Sequence, residues 1–149
     1  MCIESKFLEP LWPKDAKFAD SYQGAIDSLA EPKWAAVYVE LKANPRLFKF
    51  LDAAQLVKHY LGMRKTLGSV KTEQALLYVY WEPVNASDIE EFCRHRDEVS
   101  RLTEALGGGQ MKFIARSYRQ LWAEWRDRSN WAGKEAHLYY LEQRYSFSI

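Results

Sequence analysis

A glutamate and a lysine lie two residues apart near the start of the chain, within the largely apolar run MCIESKF at residues 1–7. Side chains two apart on a β-strand point to one face, so this spacing places Glu4 beside Lys6 if the run is extended. A carboxylate can hold Mg²⁺, and an adjacent ammonium can orient a water molecule or stabilise a developing negative charge. The pair therefore predicts a site of phosphodiester hydrolysis. The rival interpretation is an ordinary ion pair on a solvated strand edge.

Three further segments extend this pattern along the chain. After IESKFLEP at residues 3–10 come FLDAAQLVKH at 50–59, LLYVYW at 76–81 and SYRQLW at 117–122. In order and spacing they resemble a branch of the PD-(D/E)XK nuclease-like superfamily, which has the restriction-endonuclease-like fold. The resemblance implies a Mg²⁺-dependent DNA endonuclease or exonuclease. It also implies that Glu4 is the metal ligand, Lys6 the catalytic lysine and Gln55 an auxiliary catalytic residue.

One departure from that superfamily concerns the start of the chain. A helix and a strand bearing a metal-binding Asp should precede the Glu-x-Lys strand, but three residues lie before Glu4. We therefore expect a single nuclease-like domain over residues 1–149 that is incomplete at its N-terminus, as in a truncated reading frame or a remnant. Its nuclease activity should be weak or absent. The alternative function is a non-catalytic DNA-binding or protein-interaction module that retains the scaffold.

The composition is typical of one globular domain. The chain has 149 residues, of which 48% are hydrophobic and 28% are charged, a balance that excludes a disordered segment. Its two cysteines, Cys2 and Cys93, do not form a disulfide framework or a Cys-x-x-Cys metal motif. No apolar run is long enough to cross a bilayer, and no signal segment opens the chain. These features predict a cytoplasmic protein without a membrane partner.

Charge is unevenly distributed, although the net charge is only +1. Residues 42–71 contain seven Lys or Arg against one acid, as a phosphate-binding surface would. The predicted nucleic-acid contacts in this segment are Lys49, Lys58, Arg64 and Lys65. Residues 88–104 contain six acids against three arginines, so that helix should face water or a basic partner. Both segments can also be read as solvated charged faces.

The hydrophobic periodicity and the positions of Pro and Gly predict a helix-rich α/β fold with a small central mixed sheet flanked by helices. The strands are predicted over residues 2–8, 76–81 and 111–115. Capping boxes are expected at Ser87 with Glu90 and at Ser117 with Gln120. Predicted helices span residues 20–29, 34–43, about 45–61, a segment that follows Ser87 and runs to 106, a segment that begins near 117, and about 133–145.

The helix over residues 45–61 matters most for the site. Asn44 should cap it and Pro45 fits its first turn. Three polar residues, Asp52, Gln55 and His59, recur at intervals of three and four and therefore share one stripe. If the helix packs beside the first strand, this stripe brings Gln55 to the Glu-x-Lys pair. His59 is interpreted as a surface histidine rather than a general base.

A second Glu-x-Lys pair, at Glu40 and Lys42, competes with the first. A strand there would make it a candidate site. We predict a helix instead, which ends before Pro45, and residues two apart on a helix do not face each other. The second pair is therefore interpreted as a solvated part of a helix.

The N-terminal strand should leave an unpaired sheet edge with apolar neighbours. We expect a homodimer that buries this edge, by strand pairing or by packing of Phe7, Leu8, Leu11 and Trp12 across a two-fold axis. The alternative is that residues 12–31 fold back over the edge within one chain.

Overall fold

The computed structural model describes residues 1–68, 73–128 and 132–149 and has an α/β architecture. The strands are β1 (Cys2–Lys6), β2 (Ala75–Tyr80) and β3 (Lys112–Ser117). The helices are α1 (Ser21–Leu29), α2 (Pro32–Ala43), α3 (Ala53–Leu67), α4 (Glu90–Leu106), α5 (Tyr118–Arg128) and α6 (Lys134–Tyr145). Short 3₁₀ turns span Glu9–Leu11 and Ala86–Asp88. The α/β class and the helix-rich character predicted from the sequence are confirmed.

The sheet has the strand order β1-β2-β3, and both neighbouring pairs are parallel. The prediction of a mixed sheet is therefore wrong for the part of the chain that the structure describes. The reason lies in the connections: helices separate β1 from β2 and β2 from β3, and such crossovers join parallel strands. β2 is the central strand, and its Leu76 and Tyr78 are buried.

The two faces of the sheet meet different helices. Glu4 and Lys6 of β1 alternate with the more exposed Ile3 and Ser5, as successive residues of a strand must. Ile3 and Ser5 line an apolar groove together with residues of α5 and α6. The opposite face, which carries Glu4 and Lys6, is covered by α3.

Helix α3 begins at Ala53, and residues 45–52 before it are not α-helical. The predicted helix start near Pro45 is wrong. Asp52 rather than Asn44 is the N-cap, because its carboxylate accepts a hydrogen bond from the backbone N–H of Gln55. The C-terminal end lies at Leu67, beyond the predicted residue 61.

The two predicted capping boxes have opposite outcomes. The box at Ser117 is confirmed: Ser117 Oγ accepts from the Gln120 backbone, and Gln120 Oε1 accepts from the Ser117 backbone. The box at Ser87 is wrong, since α4 begins at Glu90 without a side-chain cap. The Ser87 hydroxyl instead accepts a hydrogen bond from Arg96.

Most of the core lies between the sheet and α1 to α4. Trp34 of α2 stacks on Tyr60 of α3 with ring centroids 4.5 Å apart, and both side chains are fully buried. A smaller cluster joins Trp81 to Phe92 at the end of β2. No helix in residues 1–68, 73–128 or 132–149 combines the length and apolar composition that a bilayer span requires.

The outer edge of β1 pairs with no strand among the described residues. Of the apolar neighbours expected to pack across a dimer axis, Phe7 and Leu11 instead pack on the Trp81 cluster of their own chain. Leu8 and Trp12 remain exposed. In the following segment, Lys14 donates its backbone N–H to the carbonyl of Lys49.

Candidate active site

Strand β1 presents Glu4 and Lys6 on one face, as their spacing predicts. Lys6 Nζ lies 2.8 Å from Glu4 Oε1, and the side chains of Lys6 and Glu4 are only 11% and 13% exposed. An ion pair this sheltered interacts more strongly than one on a solvated strand edge, since water screens it less. The carboxylate and the ammonium therefore form one fixed unit.

Helix α3 adds two side chains from its first and second turns. Gln55 Oε1 accepts a hydrogen bond of 2.8 Å from Lys6 Nζ. His59, one turn later, places Nε2 2.7 Å from Glu4 Oε2, a close approach without hydrogen-bond alignment. The predicted neighbourhood of Gln55 and the Glu-x-Lys pair is confirmed. We refer to Glu4, Lys6, Gln55 and His59 as the β1–α3 cluster.

A buried tyrosine on β2 lies beside this cluster. Tyr78 is the register partner of Glu4, and its hydroxyl forms a 2.8 Å hydrogen bond with His95 Nε2. Burial, with smaller contributions from Tyr80 and Glu4, raises the pKa of Tyr78 well above its ordinary value. Burial and the charge of Arg96 lower the pKa of His95 to about 4. Both groups are therefore neutral at pH 7, and neither offsets the charges of the cluster.

Glu9 lies at the other end of the same charged region. Burial opposes its ionisation, but hydrogen bonds from the backbone N–H groups of Glu9 and Phe7 and the charges of Lys6 and Lys14 outweigh it and lower its pKa. The Glu9 carboxylate accepts the Phe7 N–H at 2.7 Å. It therefore closes the turn after β1 and lies within the field of both lysines.

A comparison with known protein families now adds to this geometry. The model of a family described as "Restriction Endonuclease associating with ARP" matches residues 1–146. The chain belongs to this family. No curated protein and no solved structure matches the chain. The family membership supports a nuclease-related domain, in agreement with the restriction-endonuclease resemblance.

Nuclease-related families commonly use a metal ion, so we compare the oxygen-bearing side chains of the cluster with the ligands that Mg²⁺ prefers. Mg²⁺ commonly binds one or two carboxylates, keeps several waters and takes substrate phosphate oxygens. Glu4 meets the minimum of one carboxylate, and the Gln55 carbonyl is an oxygen donor beside it. No group of three His, Cys, Asp or Glu side chains suited to a metal occurs in the described parts of this family member. The cluster thus fits a weak site for Mg²⁺ that needs substrate oxygens and water.

The four predicted nucleic-acid contacts separate into two pairs. Lys49 and Lys58 line a groove next to the β1–α3 cluster. Arg64 instead donates its Nε–H to the carbonyl of Leu29 at the end of α1, and Lys65 is exposed on the last turns of α3. Arg64 and Lys65 are not among the residues that line the groove.

The rival Glu-x-Lys pair lies on α2, as predicted. Glu40 and Lys42 are exposed near the C-terminal end of that helix. Lys42 Nζ lies 5.5 Å from the ring centroid of Tyr38. Because residues two apart on a helix point in different directions, this pair lacks the geometry of Glu4 and Lys6.

Sequence reasoning missed three residues that shape the site. His59 was interpreted as a surface histidine, although its position four residues after Gln55 already placed it on the same stripe. Glu98 was expected to face water with the other acids of α4, but it is buried and accepts backbone N–H groups from Lys49, Phe50 and Leu51. Lys14, the third, has no signal in the local sequence.

Proposed function

We propose that the β1–α3 cluster is part of a Mg²⁺-dependent phosphodiesterase site that acts on DNA. The observation that carries this proposal is the double engagement of Lys6, whose ammonium contacts both Glu4 and Gln55 at 2.8 Å. Gln55 lies 49 residues away in the sequence, so the fold assembles the three groups. The family membership over residues 1–146 adds support for nuclease-related chemistry.

Each side chain then has a distinct part in the reaction. Bound Mg²⁺ would supply Lewis-acid polarisation of a phosphate oxygen, with Glu4 as its protein ligand. Lys6 carries the positive charge that stabilises negative charge developing on the phosphate, or orients the attacking water. Gln55 holds the Lys6 ammonium at a fixed position, which reduces the reorganisation needed during the reaction.

We further propose that the activity of this chain is low. Glu4 is the sole carboxylate of the cluster, and Mg²⁺ favours six oxygens in near-octahedral geometry. Both Glu4 oxygens already lie within 2.8 Å of cationic or imidazole nitrogens, from Lys6 and His59. The metal must displace at least one of these contacts, which weakens its binding.

The second Glu-x-Lys pair provides matched controls for a cleavage experiment. Supercoiled plasmid is incubated with the purified chain over a Mg²⁺ titration, and nicking is followed by gel. We expect slow cleavage that increases throughout the titration. Lys6→Ala should lower the rate about 100-fold or more, as loss of a charge-stabilising group does, whereas Lys42→Ala should leave it unchanged. Glu4→Gln and Glu40→Gln form the second matched pair.

Two results would contradict this proposal. One is cleavage that persists in Lys6→Ala and Glu4→Gln at the wild-type rate while circular dichroism shows that both variants are folded. The other is equal loss in the α2 controls, because that would indicate a general effect of charge.

A second candidate function is a non-catalytic DNA-binding or protein-interaction module. The contacts that Glu4 already makes within the chain, with the Lys6 ammonium on one oxygen and the His59 ring on the other, favour it. In that case the cluster is a structural ion pair that joins β1 to α3. DNA binding without cleavage at any Mg²⁺ concentration would support this candidate over the first.

A further inference from the structure

A strongly basic groove of about 830 Å³ opens beside the β1–α3 cluster. Three separate segments form it: residues 13–17, the loop at 46–49 and the first turns of α3. Its charged lining contains two acids, Asp15 and Asp52. The five cations of the lining are Lys14, Lys17, Arg46, Lys49 and Lys58. We call this surface the basic groove.

Ion pairs within the groove neutralise only part of its charge. Asp15 pairs with Arg46 at 3.0 Å. Asp52 lies 3.6 Å from Lys14 Nζ. The three remaining cations, Lys17, Lys49 and Lys58, have no carboxylate partner in the described segments of the chain. An excess of three positive charges in one concave surface attracts a polyanion.

The walls of the groove are held in place before any ligand arrives. The backbone N–H of Lys14 bonds to the Lys49 carbonyl, and that of Ala16 bonds to the Pro45 carbonyl. The loop on the other wall is fixed by Glu98, whose carboxylate accepts three consecutive backbone N–H groups. A preformed site loses little conformational entropy on binding.

The basic groove adjoins the β1–α3 cluster in two ways. Asp52, which lines the groove, accepts the backbone N–H of Gln55, and Gln55 contacts Lys6. On the other side, Lys58 lines both the groove and a second cavity of about 420 Å³. That second cavity also contains His59, which lies against Glu4. A polymer bound in the groove would therefore lie close to the cluster.

The groove offers little with which to read bases. Its apolar lining consists of Pro13 and Ala54, and neither can stack on a base. The Phe50 ring lies 5.4 Å from the Lys49 ammonium but is buried. Phe18 and Tyr22 are only partly exposed, and their rings lie 5.6 and 5.8 Å from the Lys58 ammonium. Contacts from lysines alone position a phosphate backbone without reading its sequence.

We propose that the basic groove binds the phosphodiester backbone of a nucleic-acid strand, sequence-independently, at phosphates adjacent to the one held at the β1–α3 cluster. Lys17, Lys49 and Lys58 make the phosphate contacts. This proposal rests on the proposed function for the role of the bound strand. The binding itself needs no metal, because none of these contacts involves the cluster.

Fluorescence anisotropy with a labelled 20-nucleotide DNA duplex of mixed sequence, in EDTA, tests the proposal. Affinity is measured over a range of salt for the wild type and for the double variant Lys17→Gln/Lys49→Gln. Both side chains are exposed, so the fold should tolerate the change. The matched control is Arg119→Gln/Arg128→Gln, which removes the same charge from two exposed positions outside the groove.

Each lost phosphate contact flattens the slope of log affinity against log salt by about 0.9 for duplex DNA, so the double variant should differ by about 1.8. The control should keep the wild-type slope within error. Between about 50 and 200 mM salt, the variant should lose about 12-fold less affinity than the wild type. A scrambled duplex should bind equally well.

Three outcomes overturn the proposal: equal slopes for the wild type and the groove variant, equal losses in groove and control variants, or undetectable binding at low salt. Competition by polyglutamate as effective as by DNA would also overturn it, since that would identify an acidic protein as the partner. The proposed hydrolysis is tested separately: DNA binding by the wild type without cleavage would contradict the hydrolysis and leave the groove proposal standing. If the wild type cleaves DNA and the groove variant binds DNA as well as the wild type does, the groove proposal is refuted and the proposed hydrolysis is not.

Discussion

Removal of the Glu98 carboxylate should destabilise the domain by an amount that the structure allows us to work out. The side chain is 8% exposed. Its Oε1 accepts the N–H of Lys49 at 2.8 Å, and its Oε2 accepts those of Phe50 and Leu51 at 2.8 and 2.7 Å. In Glu98→Ala, three backbone donors lose their acceptor at once, two of them on buried residues.

The magnitude follows from the value of each bond. A hydrogen bond to a charged group contributes about 1.5–3 kcal/mol. The three bonds share one carboxylate, and water can enter the space left by the side chain, so their contributions do not add fully. We expect Glu98→Ala to lower the free energy of unfolding by about 3–5 kcal/mol. This is a large part of the roughly 5–15 kcal/mol typical of a domain.

Glu98→Gln separates the effect of charge from that of shape. The amide keeps one oxygen in a position to accept two of the N–H groups, but its NH₂ faces the third donor. We expect a loss of about 2 kcal/mol, intermediate between the wild type and the alanine variant. Glu104→Ala is the control, because Glu104 is an exposed acid on the same helix, where surface substitutions cost within about 0.5 kcal/mol.

Urea unfolding followed by tryptophan fluorescence measures these differences, and thermal unfolding provides a second measure. A chain of this size shifts its melting temperature by about 2–4 °C per kcal/mol, so the alanine variant should melt roughly 10 °C lower. Equal stability of Glu98→Ala and Glu104→Ala would refute the reasoning, because it would mean that water satisfies the loop N–H groups as well as the carboxylate does.

Three further predictions concern other parts of the molecule. Because burial lowers the pKa of His95 from 6.5 to about 4, the unfolded chain binds more protons between these values. Stability should therefore be full above pH 6.5 and fall by about 3 kcal/mol as the pH drops to 4; urea unfolding should show a smaller fall in His95→Phe. Ser117→Ala, which removes the acceptor for the Gln120 N–H, should cost about 1 kcal/mol in the same assay, whereas an unchanged midpoint would contradict the cap. Light scattering should show a homodimer that Trp12→Lys dissociates, since Trp12 is 66% exposed beside the unpaired edge of β1; a wild-type monomer at high concentration would argue against it.

The proximity of Lys6 and Gln55 could be predicted from the sequence because it depends on short-range periodicity. The two-residue repeat of a strand places Glu4 and Lys6 on one face. The repeat of three and four on a helix places Gln55 and His59 on one stripe. Given the strand, the helix and their packing, these four side chains must meet. The contact between His59 and Glu4 follows from the same rule.

The start of α3 could not be predicted in this way. Phe50 and Leu51 are buried in a loop, and their spacing fits a helical stripe equally well. The choice between loop and helix is made by Glu98, whose carboxylate takes the backbone N–H groups that a helix would have used. That acceptor lies 47 residues from Leu51 in the sequence, beyond the reach of any local pattern.

The basic groove also could not be predicted from local sequence, because distant segments form it. Counting charges along residues 42–71 gives Arg64 and Lys65 the same weight as Lys49, but a groove gathers cations from separate segments. Asp52 lies at the junction of the two surfaces. One of its oxygens caps α3 at Gln55, and the other faces Lys14 across the groove. A substitution at Asp52 would disturb the position of Gln55 and the charge of the groove together. Separate tests of the two surfaces therefore require residues that touch one of them alone, as Lys6 does for the cluster and Lys49 does for the groove.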